Sequence, residues 1–157
     1  MSNPIVVILM GSPADLDHAA KIAATLDALG VEHVQRIGSA HKVPLHVLGI
    51  VQEYEADPRP KVWVTIAGRS NALSAFVEAA VSAPVIACPP PGMPEDVWSS
   101  LRMPADVAPL VVLEPANAAI AAAKVLALAD PAIAERVNAY RASKYDAIIA
   151  ADKEGQA

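Results

Sequence analysis

The chain has 157 residues, enough for one domain with a real core and too few for two comfortable ones, so residues 1–157 are expected to form a single unit. Hydrophobic residues make up 54% and charged residues 18%, an apolar balance for a soluble monomer, which points to surface buried between copies in a homo-oligomer. A net charge of −5 without any Lys/Arg cluster argues against a nucleic-acid surface, and the lone Cys88 excludes an internal disulfide framework and fits a reducing, cytoplasmic setting.

The opening "MSNPIVVILMGS" lacks the basic region and long apolar core of a secretion signal, and no run in the chain approaches a membrane span. Its apolar part, "IVVILM", is a β-branched and aliphatic run closed by Gly11-Ser12, the pattern of a strand covered on both faces. From 15 to 29, Leu16, Ala19, Ala20, Ala23, Leu26 and Leu29 follow helical spacing, with Gly30 as the stop. The alternation then recurs. "HVQRI" is followed by a helix from about 44 to 55, "KVWVTIA" by one from about 73 to 81, and "PVIAC" by a proline loop and a short helical piece at 97–101. "PLVVL" at 109–113 is the fifth strand. An alanine-rich helix is expected at 116–129, buried either within the chain or between subunits, and Asp130-Pro131 opens a last helix that runs to about 151. The pattern is that of a three-layer α/β sandwich of the flavodoxin or Rossmann type, with a mainly parallel five-stranded sheet and added C-terminal helices.

In such a sheet, ligands bind in the crevice beyond the carboxyl ends of the strands, so chemistry should gather in the strand-to-helix turns. These read "GSPAD", "GSAHK", "AGRSN" and "CPPPGMPEDVWSS". Gly11-Ser12 and Ser39-Ala40 can bring backbone N–H groups to an anion at a helix start, and Lys42 or Arg69 can balance its charge, which suggests a monophosphate site. Neither G-x-G-x-x-G after the first strand nor G-x-x-x-x-G-K-[ST] anywhere is present, which disfavours dinucleotides and nucleoside triphosphates. One Ser-Gly turn is ordinary loop chemistry, whereas three in series shift the balance. Asp15 suits either a helix cap or an acceptor for ribose hydroxyls, with capping the stronger local expectation. His41 can exchange a proton near neutral pH, yet a lone turn histidine is more often structural, so its neighbours alone make it a catalytic candidate. His18 and His46 fall in expected helices and His33 at a strand start, without Cys or carboxylate at ligand spacing, so no metal site is expected. Cys88 has no adjacent base and is read as a small buried apolar residue.

Taken together and in order, "ILMGSPADLDHAAKI", "IGSAHKVP", "TIAGRSNALS", "ACPPP", "DVWSSLRMP" and "VLEPANAAIAAAKVLAL" resemble the aminoimidazole ribonucleotide carboxylase (PurE) family of purine biosynthesis over residues 6–140. "SAHK" and "AGRSNALS" resemble its second class, which carboxylates 5-aminoimidazole ribonucleotide directly with carbon dioxide, rather than the first, which rearranges the N-carboxy compound. The resemblance implies the product 4-carboxy-5-aminoimidazole ribonucleotide and no ATP, biotin, metal or other cofactor. It implies that His41 manages the proton, that Ser39 and Lys42 hold the phosphate with the turn at Gly11-Ser12, and that Asp15 binds the ribose. Gly68, Arg69, Ser70 and Asn71 would face the base and incoming carboxyl group, and Met103 and Pro104 would wall the base, from a neighbouring subunit of a homo-tetramer or octamer built around the C-terminal helices. Three departures stand out: Ala14 where relatives carry serine, a short loop between 91 and 97, and Ala105-Asp106 in place of a small pair. They keep two alternatives in play, the mutase of the sister class and a nucleotide-binding homologue that has lost activity. A flavodoxin-like electron carrier is disfavoured, because no hydroxyl-rich phosphate loop with paired aromatics is present.

Overall fold

Strict alternation along the strands sets the layers. In the computed structural model, which describes residues 3–155, the strands are β1 (Ile5–Met10), β2 (Glu32–Ile37), β3 (Lys61–Ile66), β4 (Val85–Ala87) and β5 (Leu110–Val111). The first two and last two positions of the expected 1–157 unit lie outside the described residues. All six side chains of β1 are buried, Val6, Ile8 and Met10 on one face and Ile5, Val7 and Leu9 on the other. Burying each such side chain contributes about 1.5–3 kcal/mol in gross terms, which is why this strand carries no polar face.

The helices are α1 (Leu16–Ala28), α2 (Pro44–Glu55), α3 (Ala72–Ala80), α4 (Trp98–Leu101), α5 (Pro115–Leu126) and α6 (Pro131–Gly155). Val6, Ile8 and Met10 pack with Val62, Val64 and Ile66 of β3 against α1, α5 and the start of α6. Ile5, Val7 and Leu9 pack with Trp63 against Val47, Ile50 and Tyr54 of α2 and Leu73 and Val77 of α3. The sheet runs β2-β1-β3-β4-β5, entirely parallel, the flavodoxin-like order whose connection reverses beside β1. β1 pairs in matching register with both neighbours, so Met10 lies beside Ile37 and Ile66 and three strands end at one level.

Local signals explain the boundaries. Gly30, at φ 61, takes the left-handed position that ends α1, and the Val31 N–H closes the turn on the Leu26 carbonyl at 2.9 Å. Asp130 Oδ1 accepts from the Ala132 N–H at 3.0 Å, with Pro131 as the first residue of α6, as expected from the sequence. β4 and β5 are shorter than the expected runs at 84–88 and 109–113; at their N-terminal ends Pro84 and Pro109, which have no N–H to give the ladder, stay outside the strands. The short helix is preceded by a 3-10 turn at Pro94–Val97, and α6 continues to Gly155, past the expected end near 151. Ala118, Ala119, Ala122 and Ala123 of α5 are fully buried against α1 and the sheet, so the small residues of this helix serve packing within the chain. Among the described residues, no helix is long and apolar enough to cross a membrane.

Candidate functional site

Because β1, β2 and β3 end together, their turns open on one side and border a cavity of about 1040 Å³. The Gly11 N–H donates to the Ile66 carbonyl at 2.8 Å and the Gly38 N–H to the Met10 carbonyl at 2.9 Å, which laces the three strand ends together. Gly38 is needed at its position, since a Cβ there would stand 2.9 Å from Val47 Cγ2. In the first turn, the Ser12 hydroxyl accepts from the Ala14 N–H at 3.2 Å; in the second, the Ser39 hydroxyl accepts from the Lys42 N–H at 3.3 Å. A hydroxyl that accepts can still donate, so both serines keep a proton for an anion. The exposed Lys42 ammonium and the His41 imidazole stand on the same cavity wall.

Asp15 departs from the local expectation. It occupies the N-cap position of α1 but makes no side-chain cap bond, because a 3-10 turn at Pro13–Asp15 intervenes and Ser12 caps that turn instead. Its half-buried carboxyl reaches the cavity. Burial pushes this carboxyl above the usual carboxylate range, partly offset by a backbone hydrogen bond from Ser12 and by the nearby His18. A carboxylate short of solvent at a cavity wall is suited to accept from ligand hydroxyls.

Gly68, Arg69 and Ser70 of the third turn line the cavity. Arg69 sits at φ 54, in the left-handed region that costs a residue with a side chain roughly 1–2 kcal/mol. Asn71 does not join them. It is 4% exposed, its Oδ1 accepts from the Ser74 N–H at 3.0 Å to cap α3, and its Nδ2 donates to Ser100 Oγ at 2.8 Å. The carboxamide expected to face the base is thus occupied by capping. Met103 and Pro104 also stay off the lining of a single chain; they lie between α4 and β5, as does Asp106, whose φ is 67. Ala14 does lie on the wall. The sequence placed the turn "CPPPGMPEDVWSS" at the site without singling out residues in it; of these, Pro90 to Met93 and Asp96 line the cavity, while Ser99 and Ser100, signalled by the paired serine, stand behind it.

The family model described as AIR carboxylase matches residues 5–147. The chain belongs to the AIR carboxylase family. Among its relatives in that family, the phosphoribosylaminoimidazole carboxylase of Treponema denticola is 51% identical over 155 residues, 97% of this chain and 98% of that protein. The phosphoribosylaminoimidazole carboxylase of Archaeoglobus fulgidus is 50% identical over 151 residues, 94% of this chain and 83% of that protein. The Homo sapiens bifunctional phosphoribosylaminoimidazole carboxylase/phosphoribosylaminoimidazole succinocarboxamide synthetase is 39% identical over 153 residues, covering 95% of this chain and 36% of the longer protein. The crystal structure of Treponema denticola PurE superposes with a TM-score of 0.93 at 50% identity, over 97% of this chain and 98% of that one. The span matched to the AIR carboxylase family takes in all four turns around the cavity and ends inside α6.

Proposed function

We propose that this enzyme carboxylates 5-aminoimidazole ribonucleotide with carbon dioxide, giving 4-carboxy-5-aminoimidazole ribonucleotide in purine biosynthesis, without ATP, biotin or metal. One observation carries the reading: two proton-bearing serines, Lys42, Arg69 and His41 converge on one cavity at the level ends of three strands. The hydroxyls of Ser12 and Ser39, N–H groups at the helix starts and the Lys42 charge hold the phosphate, and Asp15 accepts from the ribose. The base then lies between His41 and the third turn.

The chemistry needs little beyond placement. Aminoimidazole is an enamine, and its nucleophilic ring carbon attacks the carbon of carbon dioxide; one C–C bond forms and a C=O π pair moves onto oxygen as carboxylate. The ring carbon then holds both hydrogen and carboxylate, and loss of that hydrogen as a proton returns the electron pair to the ring and restores aromaticity. His41 accepts the proton, and the Arg69 charge favours the developing carboxylate. Substrate and carbon dioxide become product and one proton, with no oxidant, reductant or phosphoryl donor in the balance. Holding both reactants in one cavity supplies most of the advantage.

Residues 1–157 act in this reading as one cytoplasmic domain of a homo-tetramer or octamer, in which Met103 and Pro104 wall the base of a neighbouring subunit's site. Replacing His41→Asn tests the site. Turnover should fall by at least about 100-fold while the affinity for aminoimidazole ribonucleotide stays within about threefold, since the phosphate contacts remain. Unchanged turnover would remove His41 from the mechanism.

A further inference from the structure

The third wall of the cavity is a turn held in shape by residues that do not line it. Between β3 and α3 the chain passes through Arg69, strained at φ 54, and the exposed Ser70. The Ser99 hydroxyl, from α4, lies 2.9 Å from the Asn71 nitrogen and 2.7 Å from the Arg69 carbonyl oxygen. It accepts from that N–H and donates to that carbonyl. Those two groups belong to the peptide units on either side of Ser70, so one hydroxyl fixes both planes and with them the directions in which Ser70 and Arg69 leave the backbone. The Asp96 carbonyl, 2.9 Å from the same hydroxyl, is a second acceptor, but the single proton goes to the shorter contact.

The neighbouring Ser100, 1% exposed, accepts from Asn71 Nδ2 at 2.8 Å, and Asn71 in turn caps α3. The adjacent serines of α4 therefore grip the turn from outside, and neither borders the cavity. Nothing in this grip reaches Ser12, Ser39 or Lys42, where the phosphate is placed.

We propose that Ser99 is a positioning residue of the carboxylation step: through the backbone it holds Arg69 and Ser70 in the arrangement that receives the carboxyl group, with Ser100 and Asn71 as its support. This rests on the carboxylase reading above. Loss of the hydroxyl is then felt in the chemical step and not in capture of the nucleotide, which is anchored on the other two turns.

The test compares the full-length protein with Ser99→Ala and Ser99→Thr by steady-state turnover, titration with aminoimidazole ribonucleotide, and amide hydrogen exchange at Asn71. In the alanine variant kcat should fall about 10- to 100-fold, the nucleotide Kd should stay within about threefold, and exchange at Asn71 should accelerate. Threonine, which restores the hydroxyl, should recover most of kcat. An alanine variant that keeps kcat, that loses it only in step with nucleotide affinity, or that fails to fold would overturn the positioning role. If the unaltered protein turns over no aminoimidazole ribonucleotide, the carboxylase reading fails by itself, and unchanged exchange at Asn71 in the alanine variant separately overturns the clamp.

Discussion

Ala14 shows how one atom can tune this site. It lines the cavity beside Asp15, and its N–H is already spent on the Ser12 hydroxyl at 3.2 Å. Adding a hydroxyl there by Ala14→Ser should tighten binding of aminoimidazole ribonucleotide by about three- to tenfold, the effect of one more hydrogen bond to an anion. Calorimetric titration measures it, and an unchanged Kd would mean that the phosphate does not sit at the first turn. The serines, His41, Lys42 and Arg69 were legible in the sequence because each follows a strand end, and strand ends fix where turns gather. Asn71 and Asp15 were not, because an Asn or Asp beside a helix start can either cap or face a ligand. Sequence spacing does not distinguish the two roles. The structure resolves them in opposite senses, with Asn71 turned inward as a cap and Asp15 at the wall without a cap bond to α1.

Helix α1 and strand β4 are joined where β4 runs out. His18 of α1, 7% exposed, donates from Nε2 to the Cys88 carbonyl at 3.2 Å, with the Cys88 sulfur 3.4 Å from the same nitrogen. Burial, with Lys21 adding to it, lowers the imidazole pKa below its ordinary range, although the bond to Cys88 and the charges of Asp15 and Glu114 work the other way. The native state therefore binds fewer protons here than the unfolded chain does. Its contribution to stability is present above the unfolded value, about pH 6.5, and is lost as pH falls through the lower native value. Replacing His18→Gln keeps an N–H for the carbonyl and removes the titration, so Tm should depend less on pH below about 6.5, a difference bounded by roughly 1.4 kcal/mol per pH unit. Parallel Tm profiles for the two proteins would contradict this account. Cys88, whose thiol burial pushes up to about 12, is the inert apolar residue that its sequence context suggested. The strands were readable from their unbroken apolar runs, whereas the short β4 and β5 depend on which neighbour offers a partner, information that a run of Val and Leu does not carry.

In the molecule as a whole, apolar side chains stand exposed on the far half of α6. Residues 141–155 are exposed throughout one chain, including Tyr145 at 51%, Ile148 at 69% and Ile149 at 53%. Exposed apolar side chains along half a helix suit the contact between copies that the proposed homo-oligomer requires. Sedimentation velocity should give a tetramer or octamer for the unaltered chain, and Ile148→Glu combined with Ile149→Glu should shift it to smaller species. A monomer in both cases would contradict the assembly and the placing of Met103 and Pro104 in a neighbour's site. The class of reaction is tested most directly by two assays run side by side with chelator and without ATP. One offers aminoimidazole ribonucleotide with carbon dioxide and bicarbonate, the other the N-carboxy compound under carbon dioxide depletion, and both follow the carboxylated imidazole. The account predicts turnover in the first and none in the second; turnover only in the second would make this chain a mutase and contradict the direct carboxylation proposed for its cavity.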